Sequence, residues 1–137
     1  MGTRIRLNHE DFYFWGFGLL NKWLRIKMQG GNLSEYFEDN RFTNIAVYGA
    51  GALGRRLLEE LSDTKTKVLY VIDKNATNIT DLPSDAPCFS LAEEWAQVDA
   101  VVITPIGFYE IRDEIQKKIG FDTDILAIDD IIDYCSK

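Results

Sequence analysis

The sequence predicts an α/β protein built on a parallel sheet with helices on both faces, and three observations predict it. Short continuous apolar runs recur along the chain: Ile45-Ala-Val-Tyr48, Val68-Leu-Tyr-Val-Ile72, Ala100-Val-Val-Ile103 and Ile125-Leu-Ala-Ile128. Runs of this kind suit strands that are covered on both faces. Between them the apolar residues shift to helical spacing, as in Leu53, Leu57, Leu58 and Leu61, with Arg55, Arg56, Glu59 and Glu60 on the opposite side. Finally, Gly49, Gly51 and Gly54 follow the first run in G-x-G-x-x-G spacing, at the point where a strand would turn into a helix.

Strands alternating with helices imply right-handed crossovers, and the expected strand order is 3-2-1-4-5, that of a Rossmann-like fold. A chain of 137 residues suffices for one core. It divides near residue 44 into an N-terminal helical arm (1–44) and a Rossmann-like nucleotide-binding body (45–137). In the arm, Asn8 is placed as an N-cap, with Glu10 and Asp11 in the first turn. Phe12, Trp15, Leu19 and Trp23 then form a stripe that Leu20 and Leu24 broaden, and Lys22, Arg25 and Lys27 complement the C-terminal end of the helix dipole. Gly30-Gly31 ends that helix, and Asn32 with Glu35 restarts a short one through Tyr36 and Phe37. The aromatic stripe has two readings, packing against the body or docking of a partner protein or a second copy. In the body, a polar segment over 74–87 leads to a short third strand near Cys88-Phe89. Ser90-x-x-Glu93 is a capping box predicted to open a helix around Trp95. Ile111, Ile115 and Ile119 mark a further helix stopped by Gly120, and Asp129 and Asp130 start a terminal one.

Charge narrows the function classes. The formal net charge is −7, with six Lys/Arg against five Asp/Glu in the arm and nine against seventeen in the body. An acidic body repels a phosphate backbone, which argues against nucleic acid as a partner. A single nucleotide is different, because amides at one helix end can hold its phosphates despite the net charge. Cys88 and Cys135 are far apart with no C-x-x-C, which predicts reduced thiols and no metal site. The apolar run Phe12–Leu20 is too short to span a bilayer, and no small-residue cleavage site follows it. The chain is therefore expected to be cytoplasmic and not membrane-spanning.

The expected cofactor-binding loop runs from Gly49 through Gly54 and includes Ala50, Ala52 and Leu53. Gly49 would permit the tight turn, Gly51 the close approach of a pyrophosphate, and Gly54 the packing of helix on strand. Asp73 ends the second strand, 19 residues after Gly54, where a carboxylate can accept from a ribose diol. Its charge favours NAD over NADP, while Lys74 and Arg55 keep NADP open; Arg55 and Arg56 are otherwise expected as partners of Glu59 and Glu60. Thr104 and Pro105 follow the fourth strand at the same sheet edge, where Thr104 could donate to a ligand or merely end the strand. Catalytic candidates are sparse. Tyr70-x-x-x-Lys74 has the letters of a dehydrogenase motif but lies on a strand, and His9 heads the arm helix. That leaves Tyr109, beside Glu110, as the candidate acid or base.

From Ile45 to Ile132 the chain resembles the Rossmann domains of bacterial cell-surface polysaccharide biosynthesis proteins, in the blocks IAVYGAGALGRRLLEEL, VLYVIDKNA, VDAVVITPIG and ILAIDDII. Similar domains open membrane-bound nucleotide-sugar dehydratases and epimerases, seat a UDP-sugar in sugar O-acyltransferases, and accompany glycosyltransferases. The lead-in LLNKWLRIKMQGGNLSEYF looks like that of the glycosyltransferase-associated kind. The resemblance implies Gly49, Gly51, Gly54 and Asp73 as contacts to NAD(P)(H) or a UDP-sugar, and no catalytic residue. Three functions follow as expectations: a nucleotide-binding domain without its own catalytic set, an NAD(P)-dependent nucleotide-sugar oxidoreductase or epimerase using Tyr109, and a non-catalytic module whose arm docks a glycosyltransferase or a second copy.

Overall fold

The computed structural model describes residues 9–120 and 122–136. The Asn8 cap and the His9 side chain lie outside what is described. Two helices come first, α1 (His9–Met28) and α2 (Ser34–Asp39), followed by β1 (Asn44–Tyr48), α3 (Ala52–Leu61) and β2 (Lys67–Ile72). After a single 3-10 turn, Ala76–Asn78, come β3 (Cys88–Phe89), β4 (Ala100–Ile103), α4 (Phe108–Gln116), β5 (Asp124–Ala127) and α5 (Ile128–Cys135). The five strands form one parallel sheet in the order β3-β2-β1-β4-β5. This is the Rossmann-like order expected from the alternation of apolar runs and helical stretches.

The period of two along each strand splits the core into layers. Ile45, Val47, Val71, Ala100 and Val102 face one side, where Leu57, Leu58 and Leu61 of α3 and Ile128, Ile131 and Ile132 of α5 cover them. Ala46, Tyr48, Tyr70, Ile72, Val101 and Ile103 face the other, covered by Ile115 of α4 and the loop carrying Trp95. The arm joins the first layer: Leu19, Trp23, Ile26, Leu33 and Phe37 are buried in the same cluster as the α5 isoleucines. Glu60 ties arm to body as well, accepting from Lys27 Nζ at 2.9 Å and from the Leu33 amide at 2.9 Å. The restart of the helix at α2 is capped from one residue further out, Asn32 Oδ1 accepting from the Ser34 amide at 2.7 Å.

One expected element is absent. The capping box at Ser90 forms half of its bonds, with Glu93 Oε2 accepting from the Ser90 amide at 2.6 Å, but no helix follows. The reason is reach. β3 and β4 stand three strand spacings apart, about 14 Å, and the connection must also return the length of the sheet. A helix rising about 1.5 Å per residue cannot do both in so few residues. The carbonyls that a helix would have used are taken instead by Lys118 Nζ, which donates to Leu91 O and Glu93 O while lying over the Trp95 ring.

Candidate functional site

The C-terminal edge of the sheet is shaped by the turn between β1 and α3. Gly49 has φ +103°, and a Cβ there would stand 2.5 Å from Thr104 Oγ1 and 2.8 Å from Pro105 Cδ. A Cβ on Gly54 would lie 1.9 Å from the Gly49 carbonyl oxygen. Both positions therefore need glycine for the fold itself, the first for its left-handed backbone and the second for the contact of α3 with the turn. Gly51 is unlike them. Its φ of −84° and ψ of −163° suit any residue, it is exposed, and a Cβ there would meet nothing within 4 Å. Among the described residues no contact explains its missing side chain.

Asp73 holds the turn in place. Its Oδ2 accepts from the Ala50 amide at 2.8 Å and its Oδ1 from the Asn75 amide at 2.8 Å. A carboxylate offers about four lone-pair sites, so two bonds leave acceptor capacity for a hydroxyl. Arg55 is the second tie, and here the expected pairing with Glu59 or Glu60 gives way to another. Its Nε donates to Ala50 O at 3.0 Å, and its terminal nitrogens donate to the Asp81 and Thr80 carbonyls at 3.0 and 3.1 Å. Arg56 pairs three residues on, with Glu59 at 2.5 Å, and not four residues on, because Glu60 faces the arm. Ala50 is thus committed inward through both amide and carbonyl. Thr104 is also committed, because its buried hydroxyl donates to Tyr48 O at 2.8 Å. It positions the end of β4 against β1 and turns no donor outward.

Arg55 N–H donates to Gly51 O and makes the first full helical bond of α3. The amides before it, on Ala52, Leu53 and Gly54, belong to the first turn, whose donors have no acceptor within a helix. Beside them opens a cavity of about 610 Å³ lined by Gly49, Gly51, Ala52, Leu53, Asp73, Thr104 and Pro105 on the sheet side. Its opposite wall is α1, through Phe12, Tyr13, Trp15, Gly16, Phe17 and Leu20. The size lies within the usual range of small-ligand sites. That aromatic wall is the part sequence reading missed. The signal lay in the density of rings around Gly16, but only the packing of α1 on α5 shows that they face the glycine turn.

Two further candidates stand elsewhere. Lys74 is exposed and 3.9 Å from Glu114, and it does not line the cavity. Tyr109 is 70% exposed, packs edge-on against Phe108 and lies under the Arg112 guanidinium, also away from the cavity walls. Among the described residues no lysine, arginine, histidine, serine or cysteine lines the cavity; its polar side-chain groups are those of Asp73, Thr104 and Tyr13 and the Trp15 indole N–H. The nearest phenol behind the turn, Tyr48, is pushed up to about 12 by burial and by the charges of Glu114 and Asp73, so it stays protonated at neutral pH. The arrangement can hold an anion on α3 amides, a diol on Asp73 and a flat apolar group against α1. Among the described residues no helix is long and apolar enough to cross a membrane. No protein-family model, curated protein or solved structure matches the chain.

Proposed function

We propose that the chain is a nucleotide-binding domain that takes NAD(P)(H) or a nucleotide-sugar in the cavity between the glycine turn and α1, without a complete catalytic set of its own. Gly51 carries the reading. Gly49 and Gly54 are required by backbone and packing, whereas at Gly51 glycine serves the fold only as an N-cap and leaves room for something that approaches from outside. A pyrophosphate on the first-turn amides of α3 needs that approach. Asp73 at the same edge suits a ribose diol. Arg55 is engaged with three carbonyls, which favours an unphosphorylated ribose and hence NAD over NADP. Phe12, Tyr13 and Phe17 supply a wall on which a base can stack. The resemblance of the body to domains of cell-surface polysaccharide biosynthesis suggests that setting, with a UDP-sugar as the alternative ligand. The oxidoreductase reading loses support because Tyr109 stands outside the cavity.

The test is thermal unfolding with NAD(H), NADP(H) and UDP-sugars, on the wild type and on Gly51→Val. A ligand at 100 times its Kd stabilises by about 2.7 kcal/mol, roughly 10 °C for a domain of this size. Gly51→Val should keep the melting temperature within a few degrees and abolish the ligand-induced rise. A wild type that responds to none of these nucleotides, or a Gly51→Val that responds as well as wild type, overturns the reading.

A further inference from the structure

The wall that α1 gives to the cavity is built around a missing side chain. On a helix the positions three and four residues away lie one turn above and below, and those one residue away lie on the flanks. For Gly16 these include Phe12 and Tyr13 on one side along the axis, Leu20 on the other, and Trp15 and Phe17 on the flanks. Those five and Gly16 are the whole of the α1 lining among the described residues. The wall is therefore a rim of large apolar groups with bare backbone at its centre. One side of the rim is already formed, since Phe12 and Trp15 pack with ring centroids 6.4 Å apart. Gly16 is half-buried within it, yet a Cβ there would meet nothing within 4 Å among the described residues.

Neither backbone nor packing asks for glycine at this point. α1 runs as a regular helix through residue 16, and glycine weakens a helix interior relative to almost any other residue. Gly18 has no contact to explain it either, but it is exposed and outside the cavity. Gly16 instead stands on the wall opposite Gly51, so the cavity has a bare position on each side. Chemistry chooses what fills the notch. The polar side-chain groups on this wall are the Tyr13 phenol and the Trp15 indole N–H, and neither is charged at neutral pH. A pyranose would bring several hydroxyls here, and a hydroxyl buried without a partner is costly. A flat heteroaromatic ring presents an apolar face, which suits a rim of aromatic groups around bare backbone. The donors for phosphate and the acceptor for a diol lie on the sheet side, so the two walls divide a nucleotide between them.

We infer, on the footing of the nucleotide site proposed above, that Gly16 is a specificity-determining position of this cavity. It seats the flat ring of the nucleotide, a nucleobase or a nicotinamide, against the α1 backbone and offers no seat to a pyranose. Calorimetric titration of the full chain with ADP, UDP, nicotinamide mononucleotide, NAD and UDP-glucose tests it. Gly16→Leu should lower the affinity of whichever ligand wild type binds by about tenfold or more, the loss of one stacked ring, and Gly16→Ala should lower it less. Both variants should melt at the wild-type temperature or up to about 4 °C above it, because each is a better helix former than glycine. Gly18→Leu should melt likewise and bind as wild type does. Loss confined to ligands with a base places the nucleobase on Gly16; loss confined to those with a pyridine ring places the nicotinamide there. Variants of Gly16 that bind every ligand as well as wild type overturn the inference and leave the nucleotide site standing. A preference of wild type for UDP-glucose over UDP that Gly16→Leu removes would put the pyranose at this position and overturn it too. A wild type that binds none of the five ends the nucleotide reading, and the ring seat with it.

Discussion

Asp73 and Asp99 stand at opposite ends of the sheet and do similar local work. Asp99 Oδ2 accepts from the Thr43 and Asn44 amides at 2.9 and 3.0 Å, holding the start of β1. Asp73 uses one oxygen for Ala50 and the other for Asn75, both at 2.8 Å, holding the turn after β1. Each carboxylate satisfies two backbone donors that would otherwise face water or nothing. What separates them is the neighbourhood. Beside Asp73 the chain omits a side chain at Gly51, opens the first turn of α3 and places the rings of α1 across a cavity. An acid at the end of a strand is thus a structural fastener first. It becomes part of a candidate site only where the surrounding residues leave room.

Five substitutions break or sharpen that contrast, and the largest effect falls on the fastening itself. Gly54→Val should destabilise by about 4 kcal/mol or more, because its side chain would overlap the Gly49 carbonyl and neither backbone can retreat. Thermal unfolding should show a loss of at least 10 °C or an insoluble product. Next come the two acids. Asp73→Ala and Asp99→Ala should each cost about 2 kcal/mol, the loss of charged acceptors for two amides. Only Asp73→Ala should also remove the nucleotide-induced shift in melting temperature; equal loss in both variants would show that Asp73 acts by stability alone.

The third test uses alkali. Tyr48 lies behind the turn with its pKa raised from 10.0 to about 12. The unfolded chain therefore loses that proton first, so stability falls as pH rises from about 10 to 12 and is fully present below 10. Burial raises Tyr36 and Tyr70 too, with the same sign. Tyr48→Phe should move the alkaline unfolding midpoint upward, as followed by circular dichroism; an unmoved midpoint would assign the alkaline loss to the other two phenols. The smallest effect on stability belongs to Gly51→Val. It should change folding by no more than about 1 kcal/mol, from the poorer N-cap, while its effect on nucleotide binding is total.

Much of this protein is written locally. The apolar runs at 45–48, 68–72, 100–103 and 125–128 coincide with strands or shift by a residue, because a strand covered on both faces needs a run that is apolar throughout. Alternation and crossover handedness implied a parallel sheet, and the order 3-2-1-4-5 was the Rossmann expectation. The glycine spacing marked the turn, and Asp73 was visible as the acid after the second strand. Where local signals failed, a longer-range constraint had overruled them. The Ser90 capping box made its local bond, yet the span from β3 to β4 left no length for a helix. Arg55 had suitable glutamates one turn away and instead reached three carbonyls that only folding brings near.

The sequence by itself determined the alternation of strands and helices, the position of the turn and the existence of an aromatic helix ahead of it, since each depends on neighbours within a few residues. Tertiary structure alone decided which glycines the fold requires, because that depends on what approaches each Cα from Thr104, Pro105 and the turn itself. It also decided that α1 divides its apolar residues between the core and the cavity wall. Those roles are set by distances between segments far apart in the chain, and no periodicity records them.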